Sequence, residues 1–245
     1  MNRYHRQIIF PGLGEEGQSK LGKAKVVLVG AGGLGSTLAQ CMVRSGVGGL
    51  TIIDDDVVDI TNLHRQFLFD EQDAGQKVPN ALVAEKKLKM ADSNVEIVGI
   101  AERLTTSTAG RLLSGHDLVL DGADNMETRY VVNDWCVKNN TPMIHGGISG
   151  ATGMVMVIIP GKGPCLRCLY PSTEPSGPED SPPPKPPPVI NTIPTAIAAF
   201  QATEATKYLI GSPNLIRDLI IIDLWTGDYQ RVPIDQDSNC SCNWD

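Results

Sequence analysis

A glycine-rich stretch near the start of the chain has the residue types and spacing that bind phosphates. Gly30-Ala31-Gly32-Gly33-Leu34-Gly35 fits G-x-G-x-x-G and follows the apolar, β-branched run Lys25–Val29. Ser36–Arg44 then has helical periodicity, so the glycines lie between a predicted strand and a predicted helix. Glycines in this position let backbone N–H groups approach phosphate oxygens at the positive end of the helix. The stretch predicts a nucleotide site, although a ligand-free strand–helix turn has the same pattern.

An acidic run follows the second predicted strand. Leu50–Ile53 ends in Asp54-Asp55-Asp56, and Asp54 lies about 20 residues after the last glycine. At this distance a carboxylate can accept hydrogen bonds from a ribose, and Asp56 is a second candidate for nucleotide contacts. Glycines and carboxylate together are typical of NAD-binding enzymes, so an NAD-dependent dehydrogenase is the first hypothesis to weigh.

Amide and cationic side chains just beyond the acidic run indicate a triphosphate instead. Asn62 and Arg65 lie in the run Thr61-Asn62-Leu63-His64-Arg65-Gln66, which a dehydrogenase does not require. Arg65 can bind phosphate oxygens through two hydrogen bonds, and Arg6 near the N-terminus can supply a second guanidinium. Surface ion pairs are the alternative explanation for both arginines.

Two polar residues follow the fourth predicted strand. Asp124 and Asn125 come shortly after Asp117–Asp121, at the sheet edge where α/β proteins bind ligands. A carboxylate there is well placed to hold Mg²⁺ against phosphates. The alternative is that Asp124 caps the predicted helix Met126–Lys138, with Glu127 three residues later completing the spacing of a capping box.

Alternating strands and helices position these groups through about residue 146. The other elements predicted in this half are the helices Glu15–Leu21, Ala81–Met90 and Thr105–Leu113 and the strands Val95–Ile100 and Pro142–His145. This alternation predicts a doubly wound, Rossmann-like, mainly parallel α/β sheet. Residues 1–146 are the nucleotide-binding half of one domain that spans 1–245.

The second half, residues 147–245, changes character. Its predicted elements are a strand at Ala151–Ile159, a proline-rich crossover loop at 171–188, a helix at Thr192–Ile210 and a hairpin at 219–234. The hairpin predicts an antiparallel C-terminal extension of the sheet.

Composition limits the class of protein. The 245 residues carry a formal net charge of −7 without a basic run, which argues against nucleic-acid binding. Apolar runs fall short of the ~18 residues that cross a membrane, and the N-terminus lacks the apolar core of a signal peptide. The expected location is the cytoplasm, where structural disulfides are rare, so the six cysteines need another role.

Six motifs span nearly the whole chain. They are RYHRQIIFPGLGEEGQ, VVLVGAGGLGS, SGVGGLTIIDDDVVDITNLHRQFLF, LVLDGADNMETR, CLRCL and QATEATKYLIG. In this order they resemble the ThiF/MoeB/HesA adenylyltransferases, which are relatives of the ubiquitin-activating enzymes. The resemblance implies ATP-dependent adenylation of a carboxylate, usually the C-terminal Gly-Gly of a ubiquitin-like sulfur-carrier protein.

The resemblance also implies roles for the site residues. It gives phosphate binding to the four glycines of the glycine-rich stretch and ribose binding to Asp54. Asn62 and Arg65 would contact the triphosphate, while Asp124 would bind Mg²⁺ and orient the α-phosphate. Arg6 resembles an arginine that reaches into the partner subunit's active site, so a homodimer is implied. Because a carboxylate is already a nucleophile, catalysis would consist of positioning and charge stabilisation.

Two departures from the family pattern affect this chemistry. Relatives usually have a proline–lysine pair where this chain has Pro79-Asn80, so a charge is lost. Lys77 is the expected substitute, with Lys86 the second choice. Many relatives also have a cysteine in the crossover loop that forms a thioester or persulfide, but no cysteine lies between Cys168 and Cys240. The acyl-adenylate would therefore pass to sulfide, an amine or another protein's thiol.

Four cysteines resemble the family's structural zinc site. Cys165 and Cys168 form a C-x-x-C pair, and Cys240 and Cys242 form C-x-C where relatives have C-x-x-C. Two chelating pairs of thiolates suit tetrahedral Zn²⁺. Reduced thiols near a frayed C-terminus are the alternative, and the other two cysteines are predicted to be buried apolar residues.

The leading hypothesis is a cytoplasmic, homodimeric adenylyltransferase that uses ATP, Mg²⁺ and a structural Zn²⁺ and acts on a sulfur-carrier protein. The missing loop cysteine also fits a small-molecule carboxylate as substrate in cofactor biosynthesis. The asparagine at position 80 also fits an ATP-binding pseudoenzyme or scaffold.

Overall fold

The computed structural model describes residues 2–171, 188–240 and 242. The proline-rich segment predicted at 171–188 lies almost entirely outside these described residues. None of the helices in the described ranges combines the length and the apolar composition that would let it span a bilayer.

The described residues form an eight-stranded sheet. In chain order its strands are β1 (Lys25–Val29), β2 (Gly49–Ile53), β3 (Glu96–Ile100), β4 (Leu118–Asp121), β5 (Met143–Ser149), β6 (Thr152–Ile158), β7 (Leu219–Asp223) and β8 (Asp228–Val232). The helices are α1 (His5–Ile8), α2 (Gly14–Leu21), α3 (Gly33–Ser45), α4 (Glu71–Gln76), α5 (Asn80–Ala91), α6 (Thr106–Leu113), α7 (Met126–Lys138), α8 (Leu166–Leu169) and α9 (Thr192–Ile210).

The strand order is β3-β2-β1-β4-β5-β6-β7-β8. The pairs from β3 to β5 are parallel, and those from β5 to β8 are antiparallel. The chain leaves β1 toward one side of the sheet and returns through β4 on the other side, so β1 and β4 flank the topological switch point. The predicted doubly wound sheet with an antiparallel C-terminal extension is confirmed.

Strand β1 is buried on both faces of the sheet. Val26 and Leu28 belong to one hydrophobic cluster, which also holds residues of α3 and α9. Val27 and Val29 belong to the cluster on the opposite face, beneath α6 and α7. Successive side chains of a strand point to opposite faces, so a strand covered on both sides needs an unbroken apolar run, which KVVLV supplies.

Most predicted elements agree with the structure to within a residue or two, and α7 and α9 agree at both ends. Strand β5 is the clearest difference, because it continues to Ser149 rather than ending at His145. Its additional residues pair antiparallel with β6, from Gly146 opposite Val155 to Ser149 opposite Thr152. The glycines at this turn made the run look like the end of a strand.

The glycine-rich stretch lets the loops after β1 and β4 touch. Gly30 has φ +88°, and a Cβ there would lie 2.6 Å from the Gly122 carbonyl oxygen. A Cβ on Gly35 would lie 1.8 Å from the Gly30 oxygen, so only glycine lets α3 begin this close to β1. Close backbone packing brings the two ligand-binding loops of the sheet together.

Replacing Gly35 tests this packing. We expect Gly35→Ala to lower the free energy of unfolding by about 3 kcal/mol or more, because the clash is with backbone that cannot move aside. Gly110→Ala is the matched control, since Gly110 is exposed in α6 with open space around it. We expect that change to raise stability by about 0.5–1 kcal/mol. Urea unfolding measures both, and equal effects would contradict the packing argument.

Candidate functional site

A cavity of about 740 Å³ opens at the carboxyl ends of β1 and β4. Its volume lies in the range of small-molecule and cofactor sites, and its position is where open α/β sheets bind ligands. Nine of the predicted site residues line it: Gly30, Gly32, Gly33, Asp54, Asp56, Asn62, Arg65, Asp124 and Asn125. The fold therefore gathers most of the residues that sequence reasoning had selected.

Three predicted site residues do not line this cavity. Gly35 packs against Gly30 instead, where a Cβ would lie 1.8 Å from the Gly30 oxygen. Lys77 is an exposed residue with φ +50° at the end of α4. Arg6 lies on α1 and makes no hydrogen bond or ion pair within the described residues.

Helix α3 presents its first N–H groups to the cavity. Its first helical hydrogen bond runs from the Ser36 N–H to the Gly32 carbonyl, over 2.9 Å. The N–H groups of Gly33 and Leu34 precede that bond and therefore have no partner within the helix. Gly33 and Leu34 both line the cavity, so this end of α3 suits an anion.

Asp54 is held by three hydrogen bonds at the base of the cavity. Its Oδ2 accepts from the Ala31 N–H over 2.6 Å, which ties it to the glycine-rich stretch. Its Oδ1 accepts from the Asp56 N–H over 2.9 Å and from Asn80 Nδ2 over 3.1 Å. Burial of the carboxylate outweighs these donors and raises the pKa of Asp54 to about 6.

Carboxylates crowd one wall of the cavity. The pKa of Asp56 is raised, first by burial and then by the negative charges of Asp124 and Asp55. Arg65 and Arg103 line the same cavity. Arg65 makes no ion pair within the described residues, so the alternative of a surface ion pair does not hold for it there. The negative charge of this wall therefore suits a ligand that brings cations or hydroxyl donors.

Asp124 is not the cap of α7. That role belongs to Asn125, whose Oδ1 accepts a hydrogen bond from the Thr128 N–H over 2.9 Å. Asn125 Nδ2 in turn donates to Asp124 Oδ1 over 3.1 Å. The capping alternative for Asp124 was therefore wrong by one residue, and its carboxylate stays exposed at the cavity.

A buried polar cluster fixes the loop that carries Asp124. Asp121 and His145 are fully buried, and His145 Nδ1 lies 2.6 Å from Asp121 Oδ2. Gln201 Nε2 donates to the Asp121 carbonyl over 2.8 Å, and Arg129 Nη2 donates to the Ala123 carbonyl over 2.7 Å. These bonds anchor both ends of the turn after β4.

Sequence reasoning missed several residues of the cavity wall. Gln66, Glu102, Arg103, Thr128 and Arg129 line it as well. Gln66 was inside a motif already singled out, and Glu102 and Arg103 directly follow β3 at the ligand-binding edge of the sheet. Their place just after a predicted parallel strand was the signal that could have identified them.

The four motif cysteines come together about α8. Their Sγ atoms all lie within 4.8 Å of one another, with 3.6 Å between Cys165 and Cys240 and 3.5 Å between Cys168 and Cys242. Thiolates about 2.3 Å from a tetrahedral Zn²⁺ would be roughly 3.8 Å apart, so the set fits that ion. Asn133 Nδ2 lies 3.7 Å from Cys165 Sγ and can donate to it.

The two remaining cysteines lie in helices, as predicted. Cys136 of α7 is fully buried, and burial raises the pKa of its thiol. Cys41 of α3 is only half-buried. Neither belongs to the cysteine cluster.

Comparison with known proteins places this arrangement in a family. Residues 4–243 match the ThiF family. The sulfur carrier protein adenylyltransferase of Thermus thermophilus is 37% identical over 246 residues, covering 98% of this chain and 89% of that protein. The sulfur carrier protein ThiS adenylyltransferase of Bacillus subtilis is 36% identical over 232 residues, covering 94% of this chain and 67% of that protein.

A solved structure agrees with these relatives. The crystal structure of E. coli MccB with ATP has a TM-score of 0.85 to this chain at 26% identity, and the match covers 98% of this chain and 74% of that one. The family match, the two relatives and this structure each cover nearly the whole chain. The chain belongs to the ThiF family.

Proposed function

We propose that this ThiF-family chain is an ATP-dependent adenylyltransferase that activates the C-terminal carboxylate of a ubiquitin-like sulfur-carrier protein. The observation that carries the proposal is the shared cavity, in which the first N–H groups of α3, Arg65 and Asp124 face one space at the switch point. The two sequence relatives are named as adenylyltransferases of sulfur carrier proteins, which supports the same substrate class.

The wall of the cavity suggests how ATP would lie. The ribose would face Asp54, where the wall is rich in hydrogen-bond acceptors. The phosphates would lie along Gly32, Gly33 and the start of α3. Asn62 and Arg65 would bind the β- and γ-phosphates, because a planar guanidinium matches two phosphate oxygens at once. The α-phosphate would then lie near Asp124.

The reaction is an attack of the substrate carboxylate on the α-phosphorus. A bond forms between a carboxylate oxygen and phosphorus, and the bond from phosphorus to the bridging oxygen of pyrophosphate breaks. The products are an acyl-adenylate and pyrophosphate, and no proton needs to be removed from the nucleophile. The contribution of the chain is therefore positioning and stabilisation of charge by Arg65 and the free N–H groups of α3.

The site residues fit a magnesium ion. Asp124 offers an exposed carboxylate at the cavity, Asp56 lies close enough to repel it, and oxygen is the donor that Mg²⁺ prefers. Asp124 would hold the ion with the phosphates. When bound, Mg²⁺ neutralises phosphate charge and helps the pyrophosphate leave.

The second step must use a nucleophile from outside the described cavity wall, since no cysteine lies between residues 168 and 240. We assign it to sulfide, an amine or a thiol of another protein. A small-molecule carboxylate remains a second candidate substrate for the first step, because the chain lacks that loop thiol.

The assembly and its metal follow from two further features. Arg6 lies on α1, has no side-chain partner in the described ranges and does not line the cavity of its own chain, which supports a homodimer that supplies it to the neighbouring site. Zn²⁺ would be held by Cys165, Cys168, Cys240 and Cys242, where it would clamp the C-terminal segment to α8. A cytoplasmic location suits reduced thiols.

Exchange of pyrophosphate into ATP tests the activity. We expect exchange that depends on a sulfur-carrier protein ending in Gly-Gly and is lost when its last glycine is removed. Arg65→Ala and Asp124→Ala should each lower the rate by about 100-fold or more. The first change removes a cation that stabilises charge on the phosphates, and the second removes the carboxylate that would hold Mg²⁺ beside them. Arg44→Ala, an exposed arginine at the end of α3, is the control and should change little.

The outcomes separate the candidates. Exchange with a small carboxylate and no carrier would replace the proposed substrate with the second candidate. ATP binding without exchange for any carboxylate would refute adenylation and favour a scaffold.

The raised pKa of Asp54 predicts a pH dependence of ribose binding. The carboxylate is the form that accepts hydroxyl hydrogen bonds, so adenosine affinity should be constant above pH ~7 and fall up to about tenfold per pH unit below about 6. Adenosine has no phosphate to titrate, and calorimetry measures its affinity. Asp54→Ala should bind weakly with a flat profile. A wild-type affinity that is flat from pH 7.5 to 5 would contradict this role.

The raised pKa of Asp54 affects the stability of the ligand-free protein in the opposite direction from adenosine affinity. The folded chain binds the Asp54 proton more tightly than the unfolded chain does, so this group's contribution to stability is lost as the pH rises through about 6. Binding and stability should therefore move in opposite directions across that interval.

Metal content tests the cysteine cluster. Purified protein should contain about one Zn²⁺ per chain, and removing it with a chelator should lower the unfolding midpoint by at least about 5 °C. Re-addition should restore the midpoint, and Cys240→Ser should behave like the metal-free protein. Cys41→Ser, outside the cluster, should keep its zinc. Full stability without bound metal would argue for four ordinary reduced thiols.

A further inference from the structure

Asn80 stands at the point where α5 meets the cavity. It is the first residue of α5, its side chain is 2% exposed, and it lines the cavity beside Asp54. Its backbone N–H donates to the Asp56 carbonyl over 2.9 Å, next to the bridge between Val57 and Pro79. The start of α5 is thus fixed to the loop after β2 by main-chain contacts that do not depend on the side chain at position 80.

The two ends of the Asn80 amide are in different situations. Nδ2 donates to Asp54 Oδ1 over 3.1 Å and so helps to hold that carboxylate. Oδ1 is buried and has no hydrogen-bond partner among the residues that the structure describes. A buried acceptor without a donor is costly, and such groups in a ligand cavity are commonly satisfied by the ligand.

A second unpaired acceptor lines the same cavity. Gln66 is 4% exposed, and its buried Oε1 has no hydrogen-bond partner within the described ranges. Together with the Asp54 carboxylate, these amide oxygens make this wall a surface that accepts hydrogen bonds. A phosphate, which is itself an acceptor, does not suit it, whereas a pair of sugar hydroxyls does.

We propose that Asn80 is a ribose-recognition residue, which fixes the Asp54 carboxylate through Nδ2 and accepts a hydrogen bond from a hydroxyl of the bound nucleotide through Oδ1. This rests on the proposed function in so far as the ligand is a nucleotide. Asn80 makes the site selective for ribonucleotides over those that lack a 2′- or 3′-hydroxyl. The asparagine therefore has its own role in binding the nucleotide, and it does not merely replace a lysine that has been lost.

The geometry around Lys77 agrees with this assignment. Lys77 is exposed and lies outside the cavity wall, and its positive charge helps to lower the pKa of Asp59. A lysine at position 80 would place a cation against Asp54 but would offer no acceptor to a hydroxyl. An asparagine at this position therefore supplies an acceptor in place of a charge, and the phosphates are left to Arg65 and the start of α3.

Calorimetric binding of three nucleotides tests the proposal on the full chain. ATP, 2′-deoxyATP and 3′-deoxyATP are titrated into wild type, Asn80→Leu and Asn80→Lys. We expect wild type to prefer ATP over the analogue without the contacted hydroxyl. That preference should fall roughly 3- to 10-fold in both variants, because neither replacement side chain can accept a hydrogen bond. Asn139→Leu, an exposed asparagine after α7, is the control and should keep the wild-type preference.

The preference separates recognition from general damage. Damage to the fold or to the phosphate-binding end of the cavity would weaken ATP and its deoxy analogues equally, so an unchanged preference in both variants would overturn the proposal. Asn80→Lys keeps a polar group at the position should Asn80→Leu fold poorly. Ribose preference without carrier-dependent exchange would refute the proposed function while leaving this inference intact, and exchange without a change in preference would do the reverse.

Discussion

The close approach of two backbone loops is the constraint on which the rest of the structure depends. Gly30, Gly35 and Gly122 meet at the switch point, where a single Cβ on Gly35 would lie 1.8 Å from the Gly30 oxygen. Because these loops touch, α3 begins immediately beside the turn after β4. The phosphate-binding end of a helix and the carboxylate of Asp124 consequently face the same cavity.

Hydrogen bonds hold the carboxylates of the cavity in place although their negative charges repel one another. Asp54 accepts from Ala31 in one loop and from Asn80 in α5, so one carboxylate connects three segments of the site. Burial raises the pKa of Asp54, and burial together with neighbouring negative charges raises the pKa of Asp56. A site that is electrostatically unfavourable without its ligand can return that free energy when hydroxyl donors and cations arrive.

Helix α7 connects the nucleotide cavity with the cysteine cluster. Its cap, Asn125, donates to Asp124, and Arg129 one turn later anchors the loop after β4. A further turn along, Asn133 contacts Cys165 and accepts from the Leu166 N–H over 2.9 Å. The cysteine cluster thus contacts the middle of the helix whose first turn lies beside Asp124.

Much of the fold could be predicted from the sequence, because local hydrogen bonds and burial produce a periodic pattern of apolar residues along each helix and strand. The apolar run of β1, the start of α6 near Thr105 and both ends of α9 depend on neighbours a few residues away, and the predicted bounds of these elements agree with the structure to within a residue. The glycine spacing and the motifs likewise selected nine residues that line one cavity. The family, too, could be inferred from motif order alone.

Only the tertiary structure decided which side chains face the ligand. Spacing alone allowed Asp124 to cap α7, but the cap moved by one residue to Asn125 and left the carboxylate at the cavity. Lys77 was a reasonable substitute for a missing lysine until its left-handed backbone at the end of α4 left it exposed outside the cavity wall. Arg103 and the unpaired oxygen of Asn80 come from segments far apart in the chain, and only the fold brings them to the same cavity. The sequence determined the elements, because helices and strands are made by near neighbours. The structure decided the site, because a loop side chain is oriented by contacts across the fold.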